Sequence, residues 1–598
     1  MNYQIDFEPM GRRVPCQYGS NVFEVARDAG VELSSFCGGE GTCGKCRIRI
    51  LSGRVSPLTD QEKEHLSQED IDHGYRLACL TKAQESLKVE IPPEHLLVLQ
   101  RLQLVGRERE FVVDPVVETY HVTLPKSSLA DIRSDQVRIL DCLADNYGLK
   151  DIDIDFSVQC HLPTIIRANE WQAKVGLRDR EIVTAGGAGD RLLGLAVDLG
   201  TTKIAAYLVD LDTGGVLAAK ASVNHQVPYG EDVVSRISYA IENEGEVLRQ
   251  TAVQDINTLI DGLCVDGGVA SNNIAEVVVV SNTAMHHLFL GLPVRQLALS
   301  PFIPAISTSI DIKAREIGLA TAPGAYIHLL PNIAGFVGAD HVAMLLATGI
   351  YDTDKTVLGL DIGTNTEITL ASRGKLKSCS CASGPAFEGA HIKDGMRATG
   401  GAIEMVRVTG SSVHFKTIYD KPPIGLCGSG ILDAIAQLLK AGIIDNRGKL
   451  QQHPRVYRGK GGQEFVLVPK EKSGSGRDIT LTEKDISQVQ LAKGAIYAGI
   501  TILLDEQQVG WEEVDDVIIA GAFGSYINVT SAIEIGMLPP LPVDRFLQVG
   551  NAAGVGAKLA LVSRKQRQLS EEIAQKVQYV ELIRHPQYSK IFAHALRF

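Results

Sequence analysis

Four of the chain's eleven cysteines fall into one pattern: Cys37, Cys43 and Cys46, followed by Cys79 33 residues further on. The first three share a loop, Phe36-Cys37-Gly-Gly-Glu-Gly-Thr-Cys43-Gly-Lys-Cys46, spaced C-x5-C-x2-C. Thiolates are soft ligands that select zinc, copper(I) or iron–sulfur clusters. Zinc ribbons use two separated C-x2-C knuckles, and this loop has one. Gly38, Gly39, Gly41 and Gly44 let the loop wrap a larger group and aim N–H groups at its sulfides. The set therefore suits a [2Fe–2S] cluster, with zinc as the alternative. The neighbouring Gly39-Glu-Gly-Thr-Cys-Gly44-Lys45-Cys46 nearly spells a phosphate-binding P-loop, but Cys46 stands where a Mg2+-binding Ser or Thr belongs.

A second constellation occurs twice. Leu195-Ala-Val-Asp198-Leu-Gly200-Thr201-Thr202-Lys203 and Leu358-Gly-Leu-Asp361-Ile-Gly363-Thr364-Asn365 each carry an apolar strand into Asp-x-Gly-Thr and on into a second apolar strand. The copies lie 163 residues apart, as a duplicated half-domain would place them. Two hairpins with ordinary Asp-Gly turn chemistry would show the same residues. As a facing pair, however, their turn N–H groups and hydroxyls would grip phosphate oxygens while Asp198 and Asp361 hold a hydrated Mg2+. Between them, the apolar run Glu276–Val280 ends abruptly in Ser281-Asn282-Thr283, which places Asn282 and Thr283 at the carboxyl end of a buried strand as neighbours of the terminal phosphate. His286 and His287 follow and read as packing or surface residues. A third apolar run, Asp516–Ala520, opens into Gly521-Ala522-Phe523-Gly524.

Around these sites the chain divides by pattern. Residues 1–92 form the cysteine-bearing domain, with a strand at Asn2–Phe7 and a helix capped by Ser20 that ends at Gly30. Residues 93–110, mixed apolar and basic, are a linker. Residues 111–190 read as a small α/β middle domain with strands at Phe111–Asp114 and Thr119–Leu124 and a helix at Asp135–Gly148. Residues 191–598 hold the duplicated halves, in which Asn332–Ala347 and Gly550–Ala560 read as helices rich in small residues. The net charge of −12 argues against a nucleic-acid partner. No apolar run reaches the ~18 residues of a membrane span and the N-terminus has no signal-peptide core, so a cytoplasmic protein is expected. Cys16, Cys142, Cys160 and Cys264 stand alone and are expected to be buried, as are Cys379, Cys381 and Cys427.

The cysteine loop is similar to ferredoxins with a five-residue first gap. The order hairpin, small-residue helix, second hairpin, glycine loop and second small-residue helix resembles the acetate and sugar kinase, Hsp70 and actin superfamily (ASKHA), whose two RNase-H-like halves close on ATP. That resemblance implies that Asp198, Gly200, Thr201, Thr202 and Lys203 form the first phosphate motif and Asp361, Gly363, Thr364 and Asn365 the second. It also implies that Gly521, Ala522 and Phe523 hold the adenosine, with the helix carrying Lys493 beneath the adenine. An iron–sulfur domain, a middle domain and this ATPase in one chain further resemble the reductive activators of corrinoid proteins. Asn282-Thr-Ala-Met-His-His, Ala382-Ser-Gly-Pro-Ala-Phe-Glu388-Gly and Gly425-Leu-Cys-Gly-Ser-Gly430 look like further signatures of that group. The family then implies a β-grasp ferredoxin domain, a small α/β domain and a duplicated ATPase. The cofactors implied are a [2Fe–2S] cluster held by Cys37, Cys43, Cys46 and Cys79, and ATP with Mg2+. A gate at Asp198, Asp361, Asn282 and Thr283 would pass one electron from that cluster to the Co(II) of a corrinoid protein, restoring Co(I) for methyl transfer. A low-potential electron donor is implied, no membrane is, and a homodimer is allowed. A redox-responsive ATPase chaperone without net electron transfer, and a small-molecule kinase with a fused redox domain, are the alternatives.

Overall fold

A computed structural model describes all of the chain except residues 1–2, 9–11, 29–32, 34–38, 40, 43, 45, 92–110, 231, 244, 390, 411, 460–461, 522 and 525. The linker segment, Cys37, Cys43 and Ala522 therefore lie outside the described residues.

The apolar runs that flank the two Asp-x-Gly-Thr turns become the middle strands of two six-stranded sheets that share the order and directions of five strands and differ in where the sixth is added. In the first sheet the order is Val216–Val223, Lys203–Asp210, Leu193–Leu199, Ile274–Val280, Tyr326–Leu329 and Ile310–Lys313. In the second it is Lys375–Cys381, Thr366–Ser372, Val357–Ile362, Asp516–Ala520 and Phe546–Gly550, with Val577–Tyr579 added beside the first of these. Within each sheet the first three strands are antiparallel and the fourth and fifth run parallel to the hairpin's leading strand. The parallel strand Ile274–Val280 is buried at every position and apolar but for Glu276, as a strand covered on both faces is. The duplication visible as a repeated motif is thus a repeated fold.

The helices Ala339–Thr348 and Ala552–Val562 cross between the lobes. Their contact depends on size: a Cβ on Gly556 would lie 2.1 Å from the carbonyl oxygen of Ala343. The first of these helices is shorter than the sequence predicts, because residues 332–338 form a loop. The Asn332 side chain accepts the N–H of Ala339 at 3.1 Å and so marks where helical bonding begins.

The N-terminal sheet runs Arg12–Cys16, Tyr3–Glu8, Leu87–Glu90, Arg47–Ser52, Tyr75–Leu77, with Tyr3–Glu8 parallel to Leu87–Glu90, which is the β-grasp arrangement. Its helix, Val22–Asp28, is capped by Asn21 and not by Ser20: the Asn21 carboxamide oxygen accepts the N–H of Phe23 at 2.9 Å. A second small sheet, Val117–Thr123, Gln172–Arg178, Glu181–Gly186 and Asp153–Ile154, carries helices Asp135–Tyr147 and Phe156–Ala168. Residues 111–114 are not a strand there; Asp114 bridges instead to Ser563, beyond the second crossing helix. Cys160 is exposed, against expectation, whereas Cys379, Cys381 and Cys427 are buried. Among the described residues no helix is long and apolar enough to cross a membrane.

Candidate nucleotide cleft and iron–sulfur site

The two hairpin turns face each other across a cleft of about 250 Å3 between the lobes. Asp198, Gly200, Thr201, Thr202 and Lys203 line one wall, and Asp361, Gly363, Thr364 and Asn365 line the other. Asn282 reaches the cleft as the cap of helix Thr283–Leu290, and its amide nitrogen donates to the Thr201 hydroxyl at 3.0 Å. Gly521 and Phe523 close the far end beside Gly428 and Ser429, the first turn of helix Gly428–Lys440. There the rings of Phe387 and Phe523 stack 4.8 Å apart and 11° from parallel.

Two expected residues stay out of the cleft. The Thr283 hydroxyl is turned away, donating to the Ala334 carbonyl at 2.7 Å. Lys493 is buried on the other side of its helix, where its ammonium donates to the Arg597 carbonyl and sits 5.3 Å from the Phe598 ring centre. A helix presents different residues to opposite sides, and the face of Glu483–Gln507 that carries Lys493 meets the C-terminal segment. Cleft residues assigned no role from sequence include Asp340, Glu367, Glu388, Arg397, Glu404 and Asn551. Asp340 in the first turn of the small-residue helix, and Glu388 at the end of Gly-Pro-Ala-Phe-Glu, were the available signals.

The cleft carries carboxylates that burial and mutual repulsion disfavour in the charged form. Asp198, Asp361 and Asp340 all open on the cleft yet lie deep in the protein. Burial raises Asp198 to about 7, helped by the nearby charge of Asp340 and opposed by a hydrogen bond from Asn551. Burial raises Asp361 to about 8, with Asp340 and Asp198 adding to it. Asp340 is pushed upward by burial too. Lys203 is lowered to about 8 by burial, an effect that Glu388 opposes and Arg397 reinforces. The Thr364 hydroxyl donates to Glu388 at 2.6 Å. Crowded carboxylates with hydroxyls close by form a hard-oxygen donor set, and an Mg2+ ion relieves their mutual repulsion. The residues present fit Mg2+ and a polyphosphate.

At the N-terminal site the two described cysteines of the pattern are both buried, with sulfurs 3.2 Å apart. Both thiols are thus placed to serve as ligands of one thiolate-bound group. The Asn21 amide donates to the Cys79 carbonyl at 2.7 Å, and Ala78 N–H to the Cys46 carbonyl at 2.8 Å, so both ligands stand on braced backbone. Gly41 has φ +80°, and a Cβ there would come within 2.9 Å of Leu80, so the loop approaches that wall only as glycine. A cluster bound through thiolates fits these residues.

Fold and sites together define a two-lobed ASKHA ATPase joined to a [2Fe–2S] ferredoxin domain. Comparison with known families finds consecutive matches along the chain. They are the 2Fe-2S iron-sulfur cluster binding domain over 5–84, the RACo linker region over 106–191, the RACo middle region over 193–353 and the C-terminal ASKHA domain of RACo over 355–598. The corrinoid activation enzyme RamQ of Eubacterium limosum is 30% identical over 589 residues, covering 96% of this chain and 95% of that one. The [Co(II) methylated amine-specific corrinoid protein] reductase of Methanosarcina barkeri is 26% identical over 417 residues, covering 64% and 73%. A solved structure of a reductive activator for corrinoid, iron-sulfur protein superposes with a TM-score of 0.73 at 37% identity, covering 100% of this chain and 98% of that one. The chain belongs to the RACo family of corrinoid reductive activators.

Proposed function

We propose that this protein is an ATP-dependent iron–sulfur oxidoreductase that returns the cobalt of a corrinoid protein from Co(II) to Co(I). When bound, the [2Fe–2S] cluster supplies one electron at about −400 mV, being oxidised as the cobalt is reduced. The observation that carries this reading is the pairing, in one chain, of a buried two-thiol site with a cleft whose facing hairpins crowd carboxylates around a cation position.

In this reading Cys37, Cys43, Cys46 and Cys79 are the cluster ligands. Asp198 and Asp361 hold hydrated Mg2+. Gly200, Thr201, Thr202, Lys203, Gly363, Thr364 and Asn365 bind the phosphates, and Asn282 orients the terminal one. Gly521, Ala522 and Phe523 bind the nucleoside. Thr283 acts on the cleft through the loop that carries Ala334, and Lys493 holds the C-terminal segment instead of the nucleotide. The domains we assign are residues 1–92, a linker at 93–110, 111–190 and 191–598. A low-potential protein donor refills the cluster, in a reducing, cytoplasmic setting where thiolates persist.

ATP is required because the electron moves uphill: each ~59 mV costs a factor of ten for a one-electron step. Lobes that close on MgATP bind it better closed than open, and only that difference can shift how the corrinoid protein is held. The test is anaerobic: the cluster-reduced protein is mixed with a Co(II) corrinoid protein, and the corrinoid absorption is followed with and without MgATP. Co(I) forming only with MgATP is the expected result. Unchanged Co(II) across several corrinoid proteins while ATP is hydrolysed would overturn the reading in favour of a chaperone.

A further inference from the structure

One stretch packs behind the first phosphate hairpin without lining the cleft itself. Residues 224–230 leave the sheet after strand Val216–Val223 and turn through Val227–Tyr229, and residues 232–236 enter helix Val233–Glu242. The strap is laced to the hairpin at both ends. Asn224 donates its side-chain amide to the Gly200 carbonyl at 2.8 Å and its N–H to the Thr202 carbonyl at 3.0 Å. From the other end the fully buried guanidinium of Arg236 donates to the Thr201 carbonyl. The same guanidinium donates to the Gly230 carbonyl at 2.7 Å and to the Gln226 side-chain oxygen at 3.0 Å, and it lies 3.2 Å from the Met285 sulfur. Met285 belongs to the helix whose cap, Asn282, bonds Thr201 from above. One planar fork thus ties the turn of the phosphate hairpin, the strap and the helix of Asn282 together. A lysine, with a point charge on a flexible stem, cannot span those acceptors at once. The strap returns on itself at Gly230, where φ is +150° and a Cβ would lie 2.8 Å from the Arg236 nitrogen.

The middle of the strap meets the ferredoxin-domain helix. Tyr229, packed on Tyr239 at 5.1 Å, lies beneath the guanidinium of Arg27, 5.8 Å from its ring centre. Arg27 closes the last turn of the ferredoxin-domain helix Val22–Asp28, whose cap Asn21 braces Cys79. A chain of direct contacts therefore runs from Thr201, through Arg236 and the strap, to the helix that supports a cluster ligand.

We propose that Arg236 is a positioning residue that sets the first phosphate hairpin and, through Tyr229, couples its state to the iron–sulfur domain. The inference rests on the activator reading of the cleft and adds the connection between its two halves. A hairpin that shifts as the lobes close on MgATP pulls on Arg236 and moves Tyr229 relative to Arg27, which ties the position of the ferredoxin domain to the nucleotide. Coupling of this kind is reciprocal, so displacing the ferredoxin domain also changes nucleotide affinity.

The test uses the full, cluster-loaded protein and three variants, with ATP affinity and hydrolysis measured first in the absence of any corrinoid protein. Arg236→Gln is expected to weaken ATP binding about tenfold or more with the cluster absorption unchanged, and Arg236→Lys to recover only part of that loss. Tyr229→Leu is expected to hydrolyse ATP within about twofold of the parent while the yield of Co(I) per ATP falls about fivefold or more. ATP binding at the parent level in Arg236→Gln overturns the positioning role, and an unchanged yield in Tyr229→Leu overturns the coupling. Should Arg236→Gln fail to fold, Gln226→Leu removes one acceptor and leaves the remaining guanidinium bonds; parental ATP affinity there also overturns the proposal. Failure of the parent to make Co(I) would count against the activator reading, and the ATP-affinity result would still decide the role of Arg236.

Discussion

At the scale of single residues, the cleft carboxylates carry a pH signature. In the metal-free protein Asp198 and Asp361, raised to about 7 and 8, favour the protonated form, because burial and neighbouring carboxylates penalise charge. Their unfolded values sit near ~3.9. The stabilising contribution is therefore complete below about pH 4 and is lost as pH rises through 7 and 8. Thermal melts of the metal-free protein should fall between pH 6 and pH 8, and Asp198→Asn should flatten that fall. MgATP, which takes the place of the protons, should bind more tightly as pH rises over the same window, and calorimetry in two buffers should register proton release. Asp361→Asn removes the charge that completes the cation position. Expected is a Mg2+ requirement weakened about 10- to 100-fold, with ATP-dependent Co(I) formation lost and the cluster spectrum intact. Full ATP-dependent reduction in that variant would mean the gate is elsewhere.

Single elements carry separable parts of the stability. In the ferredoxin domain, Glu62 is buried and accepts from Arg76 Nε at 2.8 Å and Nη2 at 2.9 Å, together with the N–H of Thr59 and of Leu77. Burial opposes its ionisation, but Arg76 and these N–H groups outweigh burial and hold the carboxyl below its ordinary value. Removing it strands a largely buried guanidinium two residues before Ala78 and three before Cys79. Glu62→Ala should destabilise this domain by about 3 kcal/mol. Cluster absorption should then be lost on mild heating before ATP binding is, as parallel absorption and calorimetric melts would show; simultaneous loss would argue that the two halves unfold as one. Between the lobes, Gly556→Val forces side-chain atoms against the Ala343 backbone. A cost of about 1–3 kcal/mol and a slower ATP-driven closure are expected, the first read from denaturant melts and the second from stopped-flow binding.

For the whole molecule, the residues of 111–190 act as a clamp on the ATPase. Arg178 donates to Glu276 at 3.1 Å and to Asp311 at 2.6 Å, while Arg567, just past the second crossing helix, reaches the other oxygen of Glu276 at 2.7 Å. Arg564 adds Asp179 at 3.0 Å and Glu118 at 3.1 Å. The small domain thus grips the first lobe through Glu276 and Asp311 and the helix after the second crossing helix, Arg564–Lys576, through Arg564. Arg567→Leu should break a buried ion pair, at about 3 kcal/mol, and reduce the Co(I) yield per ATP more than it reduces hydrolysis. Equal loss of both would make the clamp purely structural.

Whatever rests on short-range chemistry was legible in the sequence. The two Asp-x-Gly-Thr turns and the apolar strands beside them declare their turn chemistry and periodicity within a dozen residues. The duplication, the β-grasp and ASKHA classes and the corrinoid-activator family followed from those segments and their order. The tertiary structure decided which distant groups meet. Asp340 and Glu388 join the phosphate hairpins because lobe packing brings a helix start and a short 3-10 turn to the cleft rim. Lys493 leaves the site because its helix turns that face to the C-terminal segment. The Asn332–Ala347 helix begins only at Ala339, whose N–H is taken by the Asn332 side chain from the preceding loop. The bonds of Arg236 to Thr201 and of Glu276 to Arg567 span 35 and 291 residues, distances at which no local pattern specifies a partner. Turn and strand propensities are written in neighbouring residues; the facing of carboxylates, guanidinium forks and helix surfaces is settled only when the lobes pack.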